Sequence, residues 1–87
     1  MRPLAPFLLL ALIGCDTAVE QTPDCAAWVA CIDARDAELG TVTDNDRFQA
    51  GGPCWNNPEI GHLCDDACGA GLEWLQETTP DLPQECM

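Results

Sequence analysis

Lysine and serine are absent from this chain of 87 residues, and histidine occurs only once, as His62. The few basic residues are three arginines, which stand against 15 Asp and Glu residues. Nucleic acids are recognised through clustered Lys and Arg side chains. The composition therefore excludes a nucleic-acid partner, and an acidic surface is typical of a soluble domain.

The shortage of hydroxyl and imidazole groups also argues against catalysis. A nucleophile would have to be a threonine paired with His62, and no glycine-framed turn surrounds Thr41, Thr43, Thr78 or Thr79. We therefore predict that the chain is not an enzyme and needs no cofactor.

The N-terminal segment has the layout of a secretory signal. Arg2 supplies one positive charge, an apolar stretch follows from Leu4 to Ile13, and Gly14 is a small residue before Cys15. A membrane-spanning helix needs about 20 apolar residues, and this run is too short. Residues 1–14 are therefore predicted to target the chain and then to be removed.

Leu12, Ile13, Gly14 and Cys15 resemble the lipobox of bacterial lipoproteins. The resemblance implies cleavage before Cys15, a diacylglyceryl group on its sulfur and an acyl chain such as palmitate on its amine. It also implies a place in the cell envelope, on the outside of the cytoplasmic membrane or in the outer membrane. The alternatives are that Cys15 is an ordinary disulfide cysteine, or that cleavage falls downstream, after Ala18.

The remaining chain of 87 − 14 = 73 residues divides into a tether and a domain. Residues 15–23 are short and polar, which predicts a flexible tether. Residues 24–87 contain two helical patterns, the first capped by Asp24 and ended by Gly40, the second capped by Asn57 and ended before Pro80.

The second helix carries a stripe of apolar residues, and we expect this face of the helix to be buried. The stripe consists of Ile60, Leu63, Cys64, Ala67, Gly71, Trp74 and Leu75. Residues 41–53 are predicted to form a long crossover loop between the helices. The expected fold is small, all-α and disulfide-rich, with its two main helices in an antiparallel hairpin.

Six further cysteines follow Cys15, and an even number in an exported chain predicts disulfides. Six cysteines allow fifteen pairings, and those between neighbours on one helix are unfavourable because the sulfurs do not meet. For an antiparallel hairpin we expect Cys25–Cys86, Cys31–Cys68 and Cys54–Cys64; the main alternative joins Cys25 to Cys68 and Cys31 to Cys64.

The segments CAAWVAC, GPCW and CDDAC, followed by the late Cys86, give a second resemblance. They are similar to small cysteine-rich lipoproteins of myxobacteria and related bacteria, a group whose function is uncharacterised. The resemblance implies a helical module held by disulfides, and it implies no activity.

Two candidate sites remain. His62 lies near Cys64, Cys68 and Asp66, but oxidised cysteines cannot ligate zinc, so we predict no metal site. Trp55, beside a helix start, is the candidate contact with a protein partner, whereas the other two tryptophans are expected in the core.

The function expected from these observations is that of a lipid-anchored extracytoplasmic helical module, which binds a partner or contributes to envelope structure without catalysis. The membrane is contacted through the N-terminal lipid, and the protein partner is not identified. The alternative is an inhibitor or toxin-like effector on a disulfide scaffold, for which the loop from Thr41 to Pro53 is the available binding segment.

Overall fold

The computed structural model describes residues 17–87, and within them it contains helices and no strand. Helix α1 spans Pro23–Leu39 and helix α2 spans Pro58–Thr78. Three 3-10 turns, at Asp46–Phe48, Pro53–Trp55 and Gln84–Cys86, lie in the crossover loop and the C-terminal tail. The prediction of a small, all-α, disulfide-rich fold is confirmed.

Helix α1 begins two residues earlier than expected. Thr22 caps it, since its hydroxyl accepts a hydrogen bond from the backbone N–H of Cys25 at 3.3 Å. Pro23 occupies the first helical position, where its fixed φ and missing N–H cost nothing, so the cap falls on Thr22 rather than on Asp24. Gly40 ends the helix as predicted, with φ of 69°.

Helix α2 has the predicted ends. The Asn57 side chain accepts a hydrogen bond from the N–H of Ile60 at 2.9 Å, and Pro58 takes the first position. The last helical residue is Thr78, just before Thr79 and Pro80. Local cap signals therefore fixed both ends of this helix.

The two helices run in the same direction. Their paired residues rise together along the chain: Cys25 is bonded to Cys68, Trp28 lies on Gly71, and Ile32 shares a buried cluster with Leu75. The predicted antiparallel hairpin is therefore wrong. The crossover of residues 40–57 can extend to about 59 Å and so permits a return along an α1 of about 25 Å, and the Cys25–Cys68 bridge and the packing of Ile32 with Leu75 hold α2 in the parallel direction.

Three disulfides hold this arrangement together. They join Cys25 to Cys68, Cys31 to Cys86, and Cys54 to Cys64, with Cα separations of 5.0, 4.5 and 6.0 Å. Cys54–Cys64 agrees with the expected pairing, but Cys25–Cys86 and Cys31–Cys68 do not occur. Parallel packing sets Cys25 level with Cys68, and the tail after Pro80 folds back to bring Cys86 to Cys31.

Two buried clusters make up the core. One surrounds the Cys25–Cys68 bridge and includes Trp55, and the other surrounds the Cys31–Cys86 bridge with Ile32 and Leu75. Trp28 packs against both clusters and covers Gly71, where an added Cβ would lie 2.8 Å from the indole ring. The glycine thus permits the close approach of α1 to α2.

The segment before α1 also contacts the domain. The N–H of Val19 donates to the carbonyl of Trp55 at 2.9 Å, and the Gln21 amide donates to the carbonyl of Phe48 at 2.9 Å. The Val19 side chain packs against Gly61. The folded part therefore begins by Val19, and the predicted flexible tether of residues 15–23 is too long at its C-terminal end.

A candidate interaction surface on the second helix

Trp55, the predicted partner contact, is part of the core. Only 3% of its surface is exposed, and its indole N–H donates to the carbonyls of Gln49 at 3.0 Å and Phe48 at 3.3 Å. The Cys54–Cys64 bridge fixes the short turn that carries it against α2. Trp55 therefore stabilises the fold and offers no surface to a partner.

Trp74, which was expected in the core, is the exposed tryptophan. Its side chain is 62% exposed, while the adjacent Leu75 is 4% exposed and lies in the second buried cluster. Consecutive residues on a helix are turned by about 100°, so only one of the two can face α1. The aromatic ring available to a partner is therefore that of Trp74 on α2, and not that of Trp55, which lies before this helix starts.

The apolar residues of α2 divide into two faces, and the predicted stripe is only partly buried, since Ile60, Leu63, Ala67 and Trp74 are exposed. The buried face contains Gly61, Cys68 and Leu75; Cys68 and Leu75 pack against α1, whereas Gly61 lies against Val19 and Trp55. The exposed face carries five apolar residues, Ile60, Leu63, Ala67, Ala70 and Trp74, which we call the α2 seam. Leu63 is 68% exposed and Ile60 is 41% exposed, so the seam is open to solvent along its length.

The spacing within the α2 seam is three, four, three and four residues. This is the a and d spacing of a heptad, with which one helix packs along another. A shallow apolar depression lies at its start, lined by Pro58, Glu59, Ile60, His62 and Leu63. This spacing is hidden in the sequence because the buried and the exposed apolar residues of α2 merge into one stripe.

Acidic side chains border the seam on one side. Glu59, Asp66 and Glu73 each precede a seam residue at seven-residue intervals, which places them in one row on the helix surface. All three are exposed, and Asp66 lies 3.6 Å from the imidazole of His62. On the other side, Arg47 lies beside Ile60 in a separate depression.

The loop after α1 is held by Asp36. Its carboxylate accepts hydrogen bonds from the Thr41 hydroxyl at 2.8 Å, the Thr43 N–H at 2.8 Å and the Thr43 hydroxyl at 2.9 Å. The Thr41 hydroxyl, aided by the Thr43 donors, lowers the pKa of the Asp36 carboxyl below its ordinary value of 3.8. Val42 lies between the two threonines and is 96% exposed.

The residues considered for metal binding are not assembled as a site. Cys64 and Cys68 are both in disulfides, and His62 is paired with Asp66 on the solvent face. Within residues 17–87, no group of three His, Cys, Asp or Glu side chains is placed to hold an ion. The same residues include no helix that is both long and apolar enough to cross a bilayer.

Comparisons of the chain with protein-family models, with curated proteins and with solved structures found no match.

Proposed function

We propose that this chain is a lipid-anchored, extracytoplasmic helical module that binds a protein partner or contributes to the structure of the cell envelope, without catalysing a reaction. One observation carries the proposal. The six cysteines of residues 17–87 pair entirely with one another, so Cys15 has no partner among them. An odd cysteine after a short apolar segment is the arrangement that lipidation requires.

The disulfides support the location. Such bonds persist in oxidising compartments and are rare in the cytosol. Two of the three close loops with sequence separations of 43 and 55 residues, and each stabilises the fold by about 4 kcal/mol on the chain-entropy model. A domain this small depends on such links, since its core alone supplies only about 3 to 5 kcal/mol.

The net charge supports a lipid anchor over electrostatic attachment. After loss of residues 1–14 the chain keeps two arginines and all 15 acidic residues, so its formal charge is 2 − 15 = −13. Anionic headgroups repel such a surface. Two or three acyl chains on Cys15 provide stable anchoring, because each buried CH₂ contributes about 0.8 kcal/mol.

The contacts of Val19 limit how far the domain can lie from that anchor. Only residues 16–18 separate Cys15 from Val19, whose N–H is bonded to Trp55. Four residue steps span at most about 14 Å. Lipidation at Cys15 would thus hold the shared N-terminal end of α1 and α2 close to the bilayer, with their C-terminal ends farther away.

Metabolic labelling with an alkyne analogue of palmitate tests the anchor. The wild-type chain should take up label and partition with membranes, and Cys15→Ala should lose both properties while keeping its three disulfides. Ala18→Leu is the matched control, because it alters only the alternative cleavage position. Label that persists in Cys15→Ala would refute the proposal.

The inhibitor function is a second candidate, favoured by the loop at Val42. An inhibitory loop must present a side chain from a backbone that is already fixed, and Asp36 fixes the residues on both sides of Val42. Small aliphatic side chains suit peptidases with a shallow apolar specificity pocket. Inhibition of such a peptidase that is lost in Val42→Asp and weakened in Asp36→Ala would establish this function; no inhibition at micromolar concentration would dismiss it.

A further inference from the structure

We propose that the α2 seam docks one amphipathic helix of another protein, whose flanking positions carry Lys or Arg. The inference concerns a surface within residues 58–78 and does not depend on the lipid anchor. It follows from three features of α2: the exposure of the seam, its heptad spacing, and the row of acids beside it.

The seam is not needed for the fold. The contacts of α2 with α1 are made by the face that contains Gly61, Cys68 and Leu75, and none of the five seam residues is buried. A large apolar side chain left in water gains nothing from burial, and two of them, Leu63 and Trp74, are more than three-fifths exposed. Clustered exposed apolar residues mark interaction surfaces.

The geometry fits a helix as the occupant. From Ile60 to Trp74 the seam extends about 21 Å along the helix axis, which is four turns. Apolar residues at the a and d positions of a heptad pack between the corresponding residues of a facing helix. The two alanines at the centre of the seam, Ala67 and Ala70, leave room for that helix to approach closely, with Trp74 and Leu63 as larger anchors on either side.

The charge pattern identifies the partner's chemistry. In the heptad that places Ile60, Ala67 and Trp74 at position a, the acids at 59, 66 and 73 all fall at position g. The e positions on the opposite border are Cys64, Gly71 and Thr78, none of which is charged. Residues at e and g choose the partner of a helix through opposite charges, so a basic flank is required opposite the acids.

The same pattern disfavours a second copy. An antiparallel pair of seams would bring two acidic rows together, and a parallel pair would set each acidic row against uncharged residues. Each copy also carries a large negative charge, since 15 acidic residues face three arginines over the whole chain. The charge that repels a copy attracts a basic helix and speeds their encounter.

Two synthetic 21-residue helical peptides provide the test, both with Leu and Ala at positions a and d. One carries Lys at positions e and g, and the other carries Glu there. Each is labelled with a dye, and its anisotropy is measured against the oxidised full-length chain in phosphatidylcholine nanodiscs, with empty nanodiscs as the blank. We expect the Lys peptide to bind at micromolar concentration and at least tenfold more tightly than the Glu peptide, with affinity falling as salt is raised.

Charge reversal at the seam is the decisive variant. Glu59→Lys with Asp66→Lys and Glu73→Lys should reverse the preference toward the Glu peptide. A matched control, Asp33→Lys with Glu38→Lys and Glu85→Lys, changes the net charge equally at exposed positions away from the seam and should keep the preference for Lys. Leu63→Asp should abolish binding of the Lys peptide with the helical circular dichroism and the disulfide map unchanged.

Three results would overturn the proposal. The Lys peptide could fail to bind at 100-fold above the expected concentration, or the control reversal could change the preference as much as the seam reversal does. Light scattering could also show a dimer that Leu63→Asp dissociates, which would assign the seam to a second copy.

Discussion

Replacing Gly71 by alanine measures the contact on which the packing of the two helices depends. An added Cβ would lie 2.8 Å from Cζ3 of Trp28 and 3.2 Å from two further ring atoms. Carbon atoms in favourable contact are about 3.5 to 4.0 Å apart, so the indole ring would have to move by about 0.7 Å or more. Trp28 cannot move freely, because it packs against both buried clusters.

The expected magnitude combines two opposing effects. Overpacking of this kind costs about 1 to 3 kcal/mol. Alanine in a helix is favoured over glycine by about 1 kcal/mol, which offsets part of that cost. Gly71→Ala should therefore lower the free energy of unfolding by about 0 to 2 kcal/mol.

Gly69→Ala is the matched control within the same helix. Its added Cβ would lie 3.2 Å from a carboxylate oxygen of Asp24, which is the end of an exposed side chain and can turn away. This variant should gain about 1 kcal/mol in the free energy of unfolding. The two variants should thus differ by about 1 to 3 kcal/mol, although they receive the same helix-propensity gain.

Guanidinium unfolding of the oxidised chain, followed by far-ultraviolet circular dichroism, gives both values. Repeating both substitutions in a Trp28→Leu background tests whether the indole ring causes the difference. Without the ring, the two glycine variants should have unfolding free energies within about 0.5 kcal/mol of each other. Equal midpoints for Gly71→Ala and Gly69→Ala in the wild-type background would refute the proposed packing of Trp28 on Gly71.

Three further predictions follow from the bridges, the loop and the tryptophans. Removing the Cys31–Cys86 bridge by a double alanine substitution should cost about 4 kcal/mol of unfolding free energy on the chain-entropy model, measured by denaturant midpoint. Asp36→Asn should reduce stability at neutral pH; because the folded pKa of this carboxyl is lowered, the difference from wild type should be complete above pH 4 and vanish as the pH falls below the folded pKa. Trp55→Ala should destabilise by about 3 to 5 kcal/mol in thermal or denaturant unfolding, whereas Trp74→Ala should change stability by less than about 0.5 kcal/mol; similar losses would contradict their assigned burial.

The ends of the helices could be predicted from the sequence because caps are local. Asn57, Pro58 and Gly40 act through backbone groups within a few residues, so each signal is contained in a short window. Where a proline and two candidate caps lie together, as at Thr22 and Asp24, the choice depends on where the proline enters the helix.

The direction of the second helix could not be predicted in this way. A crossover of residues 40–57 is long enough for either a parallel or an antiparallel return, and no residue in it specifies which. The wrong helix direction then led to two wrong disulfide predictions, because the direction of α2 determines which cysteine of α1 lies beside Cys68. Cys54–Cys64 escaped this error because its sequence separation of 10 residues is independent of helix direction.

The candidate surface was missed for a related reason. The apolar residues of α2 cover more than a third of its circumference. All of them could be buried only if other elements packed against the helix on two sides. Only the packing of α1 on Cys68 and Leu75 shows which part of that arc is core. The heptad spacing of the rest, with acids every seventh residue, is visible in the sequence once the core residues are set aside.

The placement of the bridges also determines how the molecule would respond to proteolysis. Residues 41–44 are exposed. They lie between the two cysteines of α1 and the four cysteines that come later in the chain. Cys25–Cys68 and Cys31–Cys86 both connect the two sides of that segment, while Cys54–Cys64 lies wholly on one side. A single cut there would add the mass of one water and release nothing, and the two pieces would separate only after reduction.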